Sequence, residues 1–136
     1  MLTGIHPLLS GELLLNLDAM GHSDSVVVAD AHFPAARIGA RVVTLPGTSA
    51  PEVVAAIRTV LPLDEPRALD LMRTADGLVL PVQLALIDAA GVSSDGWGDV
   101  ERQEFYELAA AAFLVIRTGE TRPYGNALLR KGIVSP

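Results

Sequence analysis

The chain has no cysteine. Disulfides, thiolate nucleophiles and zinc–sulfur sites are excluded with it, while the compartment is left open. Aromatic residues make up only 4% of the 136 residues, although half are hydrophobic, so the core must be built from Leu, Val, Ile and Ala. Positive charge is also scarce: ten basic residues stand against sixteen acidic ones, a net charge of −6. An acidic chain without a basic stripe is a poor partner for phosphate backbones, which argues against nucleic acid. No apolar run approaches the ~20 residues that cross a bilayer. No basic, apolar and small-residue series marks a secretion signal. The expectation is a cytoplasmic protein with no membrane partner. A Gly-rich phosphate loop, a G-x-S-x-G elbow and an H-E-x-x-H pair are all missing.

What is present reads as one domain over residues 1–136, a length typical of a single unit of about 100–150 residues. Ser10 is a helix N-cap with Glu12 in the first turn. Leu13, Leu14, Leu17 and Met20 recur at helical spacing, and Gly21 fits the left-handed residue that ends a helix. Val26–Val28 is short, continuous and β-branched, as in a strand covered on both faces. A loop over 30–41 leads to a second strand at 42–44. Ser49 and Glu52 have capping-box spacing around Pro51, which is tolerated in a first turn. Val53, Val54, Ile57, Val60 and Leu61 form the stripe of that helix. Pro62 and Pro66 end it. Further along, 69–72 is a strand, Asp76-Gly77 a turn, and 82–90 a helix closed by Gly91. Residues 93–99 read as a surface loop, with Asp99 capping a helix whose stripe is Phe105, Leu108, Ala109 and Ala112. Strands at 113–116 and 127–129 flank a loop, and these two are expected to form an antiparallel pair. The pattern indicates an α/β layered domain with a short-stranded, mostly parallel sheet flanked by helices.

Two clusters carry chemistry. The first is Met20–Pro34, where His22 precedes the valine strand and Asp30 and His32 follow it. A histidine behind a helix C-terminus is either an imidazolium resting on the helix dipole or an acid–base group able to titrate near neutrality. Asp30 is either a turn aspartate bonding its own backbone or a ligand group at the carboxyl end of a strand, where open α/β sheets bind ligands. His22, Asp30 and His32 match no standard metal-ligand spacing, so no metal is expected. The second cluster is Arg122–Asn126. Tyr124 offers a phenol, Asn126 an amide, and Gly125 a backbone that a ligand can approach closely; an ordinary turn is the competing reading. Arg102 stands apart. A cation in the first turn of a helix is disfavoured by roughly 0.3–1 kcal/mol, so it either pairs with an acid such as Glu101 or is aimed into a cleft. Its fork of donors suits vicinal hydroxyls or a carboxylate.

Together, M-G-H-x-D from Met20, D-A-H-F-P at 30–34, R-x-x-F-Y-E at 102–107, T-G-E at 118–120 and Y-G-N-x-L-L-x-K-G at 124–132 resemble the L-fucose mutarotase and D-ribose pyranase family over nearly the whole chain. The resemblance implies a cofactor-free interconversion of sugar anomers. By position, His22 matches the family's proton donor, and Asp30, Arg102, Tyr124, Gly125 and Asn126 match its sugar-binding residues. Tyr124 is a candidate second catalytic donor. Arginine at 102 and the D-A-H-F-P wording resemble the fucose-type branch, whereas Ser23 stands where glycine is usual. The resemblance also implies ring-like homo-oligomers, a decamer among them. That matters because the five extended residues of 25–29 span roughly 16 Å at ~3.3 Å each, a long reach for one small sugar between His22 and Asp30 of the same copy. Either the strand is shorter and the chain curls back, or a neighbouring subunit completes the site, which the ring-like assemblies implied by the resemblance favour. The competing function is a non-enzymatic sugar-binding accessory protein.

Overall fold

The computed structural model describes residues 1–136. Its centre is one six-stranded sheet in the order β2-β5-β1-β6-β3-β4, formed by β1 (Ser25–Ala29), β2 (Val42–Leu45), β3 (Leu69–Met72), β4 (Trp97–Val100), β5 (Leu114–Thr118) and β6 (Ala127–Arg130). The pairs β1–β5, β2–β5 and β3–β4 are parallel, and β6 is antiparallel to both β1 and β3. Five strands therefore point one way and β6 alone is reversed.

Alternation along the buried strands splits the core in two. Val26, Val28, Leu69, Leu71, Leu114, Ile116 and Leu129 face α1 (Gly11–Ala19), α3 (Ala50–Arg58) and α4 (Pro81–Ala90). Val27, Ala29, Met72, Val115 and Leu128 face α2 (Ala35–Ile38) and α5 (Arg102–Ala111). Phe105 of α5 is fully buried there and meets Phe33 edge-on at 6.0 Å between ring centroids. An alternating pattern with both faces covered is the layered α/β arrangement that the valine run implies.

Local signals hold where side-chain chemistry closes a helix end. Ser10 Oγ accepts from the Leu13 N–H, Ser49 and Glu52 form the reciprocal capping box, and Gly91 ends α4 in the left-handed region at φ 66°. Six expectations are corrected. The loop over 30–41 contains the short helix α2, and α3 stops at Arg58, leaving Val60 exposed beyond its stripe. Gly21 does not close α1 in a left-handed conformation. Met20 is extended at the cap, and Lys131 Nζ donates to the Leu17 and Met20 carbonyls. Gly21 instead opens a four-residue turn in which the Asp24 N–H donates to its carbonyl, and the third residue, Ser23, takes φ 69°. That is the type II pattern, in which the third position favours glycine.

The loop expected over 93–99 ends early, because Trp97–Val100 forms an edge strand beside β3. Gly98 looked like a loop glycine, but a Cβ there would fall on the Arg67 guanidinium, which is ion-paired with buried Asp70. Asp99 consequently lies in β4 and bonds Arg73, and the cap position of α5 passes to Glu101, whose side chain makes no cap bond. Finally, β5 and β6 are not partners. Strand β1, buried from Val26 to Ala29, needs a neighbour on each side and lies between them, so the connection from 119 to 126 crosses over the end of β1 at Asp30.

Candidate active site

The parallel strands bring their carboxyl ends to one edge of the sheet. Reversed β6 brings its beginning to the same edge. Asp30 follows β1, Met72 ends β3, Arg102 opens α5 after β4, and Tyr124 and Asn126 lead into β6. These residues line a cavity of about 170 Å³, with Phe33, Tyr106 and Pro123 as its apolar wall.

At its base, Asp30 and Asn126 are buried and interlocked. The Asp30 N–H donates to Asn126 Oδ1 at 2.9 Å, and Asn126 Nδ2 donates to Asp30 Oδ2 at 3.0 Å. Asp30 Oδ1 also accepts from the His32 N–H at 3.0 Å. The aspartate therefore does both things its sequence position suggested: it ties its own turn and it presents a carboxylate to the cavity. The Arg102 guanidinium has no hydrogen bond or ion pair within the chain. Its acidic neighbours are engaged elsewhere, Arg73 taking Asp99 at 3.0 Å and Glu101 at 3.8 Å. An unpaired cation on a cavity wall is available to a ligand's hydroxyl oxygens. Tyr124 has φ 62°, a conformation uncommon outside glycine and seen disproportionately at functional sites.

His32 lines the same cavity, with Nε2 3.3 Å from the Thr121 carbonyl. Gly125 does not line it. Its missing Cβ is needed behind the wall, where one would stand 2.8 Å from Glu120 Cγ and 3.3 Å from Val82 Cγ2.

His22 is at the opposite edge of the sheet, before β1. Its ring is more than half exposed and lies 3.4 Å from Asp64 Oδ1. That contact, with the Glu65 N–H, lowers the Asp64 carboxyl below its ordinary range. The helix dipole does not explain this histidine, because Lys131 occupies the end of α1. Within one copy the structure brings together Asp30, Arg102, Tyr124 and Asn126, with His32 added, and leaves His22 at the far edge. The candidate metal trio of His22, Asp30 and His32 is likewise divided.

Residue-type reasoning missed the group that shapes this edge. Glu120 is buried, and its carboxylate accepts from Arg122 Nε (2.8 Å), Arg122 Nη2 (2.8 Å), the Arg122 N–H (3.0 Å) and the Ala50 N–H (3.3 Å). The Arg122 fork outweighs burial and holds this carboxyl down at about 2. T-G-E was visible as a motif, but nothing local announces that its acid is buried.

The model of the RbsD / FucU transport protein family matches residues 3–134. The chain belongs to that family. Among its relatives it is 40% identical to the fucose mutarotase of Homo sapiens, covering 98% of this chain and 95% of that one. It is 39% identical to the L-fucose mutarotase of Glaesserella parasuis serovar 5, covering 98% and 96%. Among solved structures, the fucose mutarotase of Streptococcus pneumoniae in complex with L-fucose superposes with a TM-score of 0.90 at 31% identity, over 98% of this chain and all of that one. The family fold thus accounts for the mixed sheet whose carboxyl edge carries the cavity.

Proposed function

We propose that this protein is a sugar mutarotase, an isomerase that interconverts the α and β anomers of L-fucose or a closely related monosaccharide. One observation carries the reading. A family member about two-fifths identical to fucose mutarotases has a sugar-sized cavity whose polar groups include a buried carboxylate, an amide, a phenol and an unpaired guanidinium.

Anomer exchange opens the hemiacetal, turns the aldehyde and recloses the ring. Opening requires a proton delivered to the ring oxygen and another removed from the anomeric hydroxyl, and closure reverses both, so one pair of positioned groups serves both directions. Asp30 and Asn126 orient hydroxyls through their interlocked carboxylate and amide. Arg102 donates to sugar oxygens, and the proton that leaves the anomeric hydroxyl on opening passes to Tyr124 or Asp30 and is returned on closure. His22 is the acid. Because it lies at the far edge of its own sheet, it serves the cavity of a neighbouring copy, in a ring-like homo-oligomer that joins the amino edge of one subunit to the carboxyl edge of the next. A cytoplasmic setting belongs to the same proposal.

Saturation-transfer NMR on L-fucose, with ribose and galactose in parallel, tests the reaction. His22→Ala is expected to slow catalysed exchange by about 10²–10⁴-fold. Exchange at the wild-type rate would remove His22 from the mechanism. Tight L-fucose binding with no exchange in the unaltered protein would favour the accessory-protein reading.

A further inference from the structure

Glu120 is buried at the site edge, yet it does not line the cavity and takes no part in the proton transfers above. Its surroundings are those of a joint. The turn from Glu120 to Gly125 curls round its side chain. Arg122 grips the carboxylate through its backbone and its fork, and Gly125 closes onto Glu120 Cγ so tightly that only glycine fits. Between those two contacts lies Tyr124, held at φ 62°. Glu120 itself also reaches outward twice. Its carbonyl accepts from the Ala31 N–H at 2.8 Å, tying the loop that carries Asp30. Its Oε2 accepts from the Ala50 N–H at the start of α3, where an anion is favoured by the helix N-terminus.

We propose that Glu120 is a positioning residue for the reaction: its carboxylate folds the Glu120–Gly125 turn around itself and thereby holds Tyr124 at the reacting atoms. The inference rests on the mutarotase reading and deepens it. One turn and one helix end meet on this carboxylate while the Asp30 loop is tied to its backbone, and all four of the carboxylate's hydrogen bonds are accepted from N–H donors. Glu120→Gln keeps the size of the side chain but turns one oxygen into a donor. The amide then opposes either the Arg122 N–H and Nε or Arg122 Nη2 and the Ala50 N–H. The turn loosens, and Tyr124 leaves its place while the sheet beneath persists. Displacements of this kind, on the order of 1 Å, cost up to about 10²-fold in rate.

The test combines kinetics with 19F NMR on protein labelled with 3-fluorotyrosine, which carries two signals, from Tyr106 and Tyr124. In Glu120→Gln the Tyr124 signal is expected to shift or broaden while Tyr106, fixed on α5 against Phe33, stays in place. In parallel, kcat for L-fucose exchange falls on the order of 10–100-fold, in protein that circular dichroism shows to be folded. A lowered melting temperature with kcat intact, or a loss of kcat with the Tyr124 signal unmoved, overturns the proposal. Should Glu120→Gln fail to fold, Arg122→Gln breaks the fork from its half-exposed side and gives the same readout. If the unaltered protein exchanges no anomers, the mutarotase reading fails, and the 19F comparison still decides whether Glu120 holds Tyr124.

Discussion

Ser23 and Tyr124 are the two residues other than glycine with positive φ, at 69° and 62°, and they sit in opposite circumstances. Tyr124 occupies its conformation on the wall of a cavity, beside Asp30 and Asn126. Ser23 occupies the third position of an exposed turn, and its hydroxyl reaches only Asp64 Oδ2 at 3.3 Å. Placing a Cβ in the left-handed region costs roughly 1–2 kcal/mol, more than glycine loses in chain entropy by about half. Ser23→Gly is therefore expected to raise the melting temperature by a few degrees in calorimetry; a fall would show that the Asp64 bond matters more than the backbone. At this scale the sequence was informative about identity and poor about environment. Asp30, Tyr124 and Asn126 stood out through their chemistry, and Arg102 through its misfit at a helix start. That Arg102 is unpaired depends on Arg73, twenty-nine residues away, occupying both neighbouring acids. Spacing cannot reveal a competitor just beyond the end of another strand.

Among the elements, the turn from Glu120 to Gly125 is the one whose stability responds most directly to acid. The Glu120 carboxyl is held at about 2, below its ordinary value of 4.5, principally by hydrogen bonds from the Arg122 side chain. The unfolded chain thus binds this proton at a higher pH than the folded one. The stabilisation is present above about pH 4.5 and disappears as the pH falls towards 2, on the order of 3 kcal/mol before screening at the half-exposed arginine and less after it. Glu52, Asp64 and Asp76 are also lowered, so the total acid profile is shared. The difference between wild type and Glu120→Gln isolates this group: melting temperatures of the two are expected to converge as pH drops from 5 towards 2. Parallel curves would mean that Glu120 carries no protonation-linked stability. Elements with chemical punctuation were legible beforehand, as the caps at Ser10, Ser49 and Gly91 were. Strand β4 was not, because its two neighbouring glycines mimic a loop; Gly98 exists to admit Arg67. Short α2 carries no side-chain cap and left no mark in the sequence.

For the molecule as a whole, the decisive fact is that His22 and the cavity occupy opposite edges of one sheet. If copies share sites, two inactive variants must rescue each other. Mixing His22→Ala subunits with Asp30→Asn subunits by unfolding and refolding is expected to restore up to about a quarter of the wild-type exchange rate, since some interfaces then combine an intact histidine with an intact carboxylate. No recovery, with assembly confirmed by light scattering, would return both residues to a single chain. The sequence suggested this division through the length of the strand between them. It did not disclose where the chain's other end enters. Lys131 closes α1, and its backbone bonds both Ser23 and Asp24, so the last part of the chain builds the turn that presents His22.

Strand β6 adds a constraint of another kind. It is the one reversed strand, and it starts directly after Asn126 in the cavity and stops directly before Lys131 at the histidine turn. Its four residues are thus a ruler between the two edges. Ala127–Arg130 can exchange side chains within the limits of packing, but adding or removing a single residue would turn Leu128 to the wrong face and displace the cavity and the His22 turn at once. Descendants of this chain are free to change length beyond Gly132, where the tail is exposed. Between Asn126 and Lys131 their length is set.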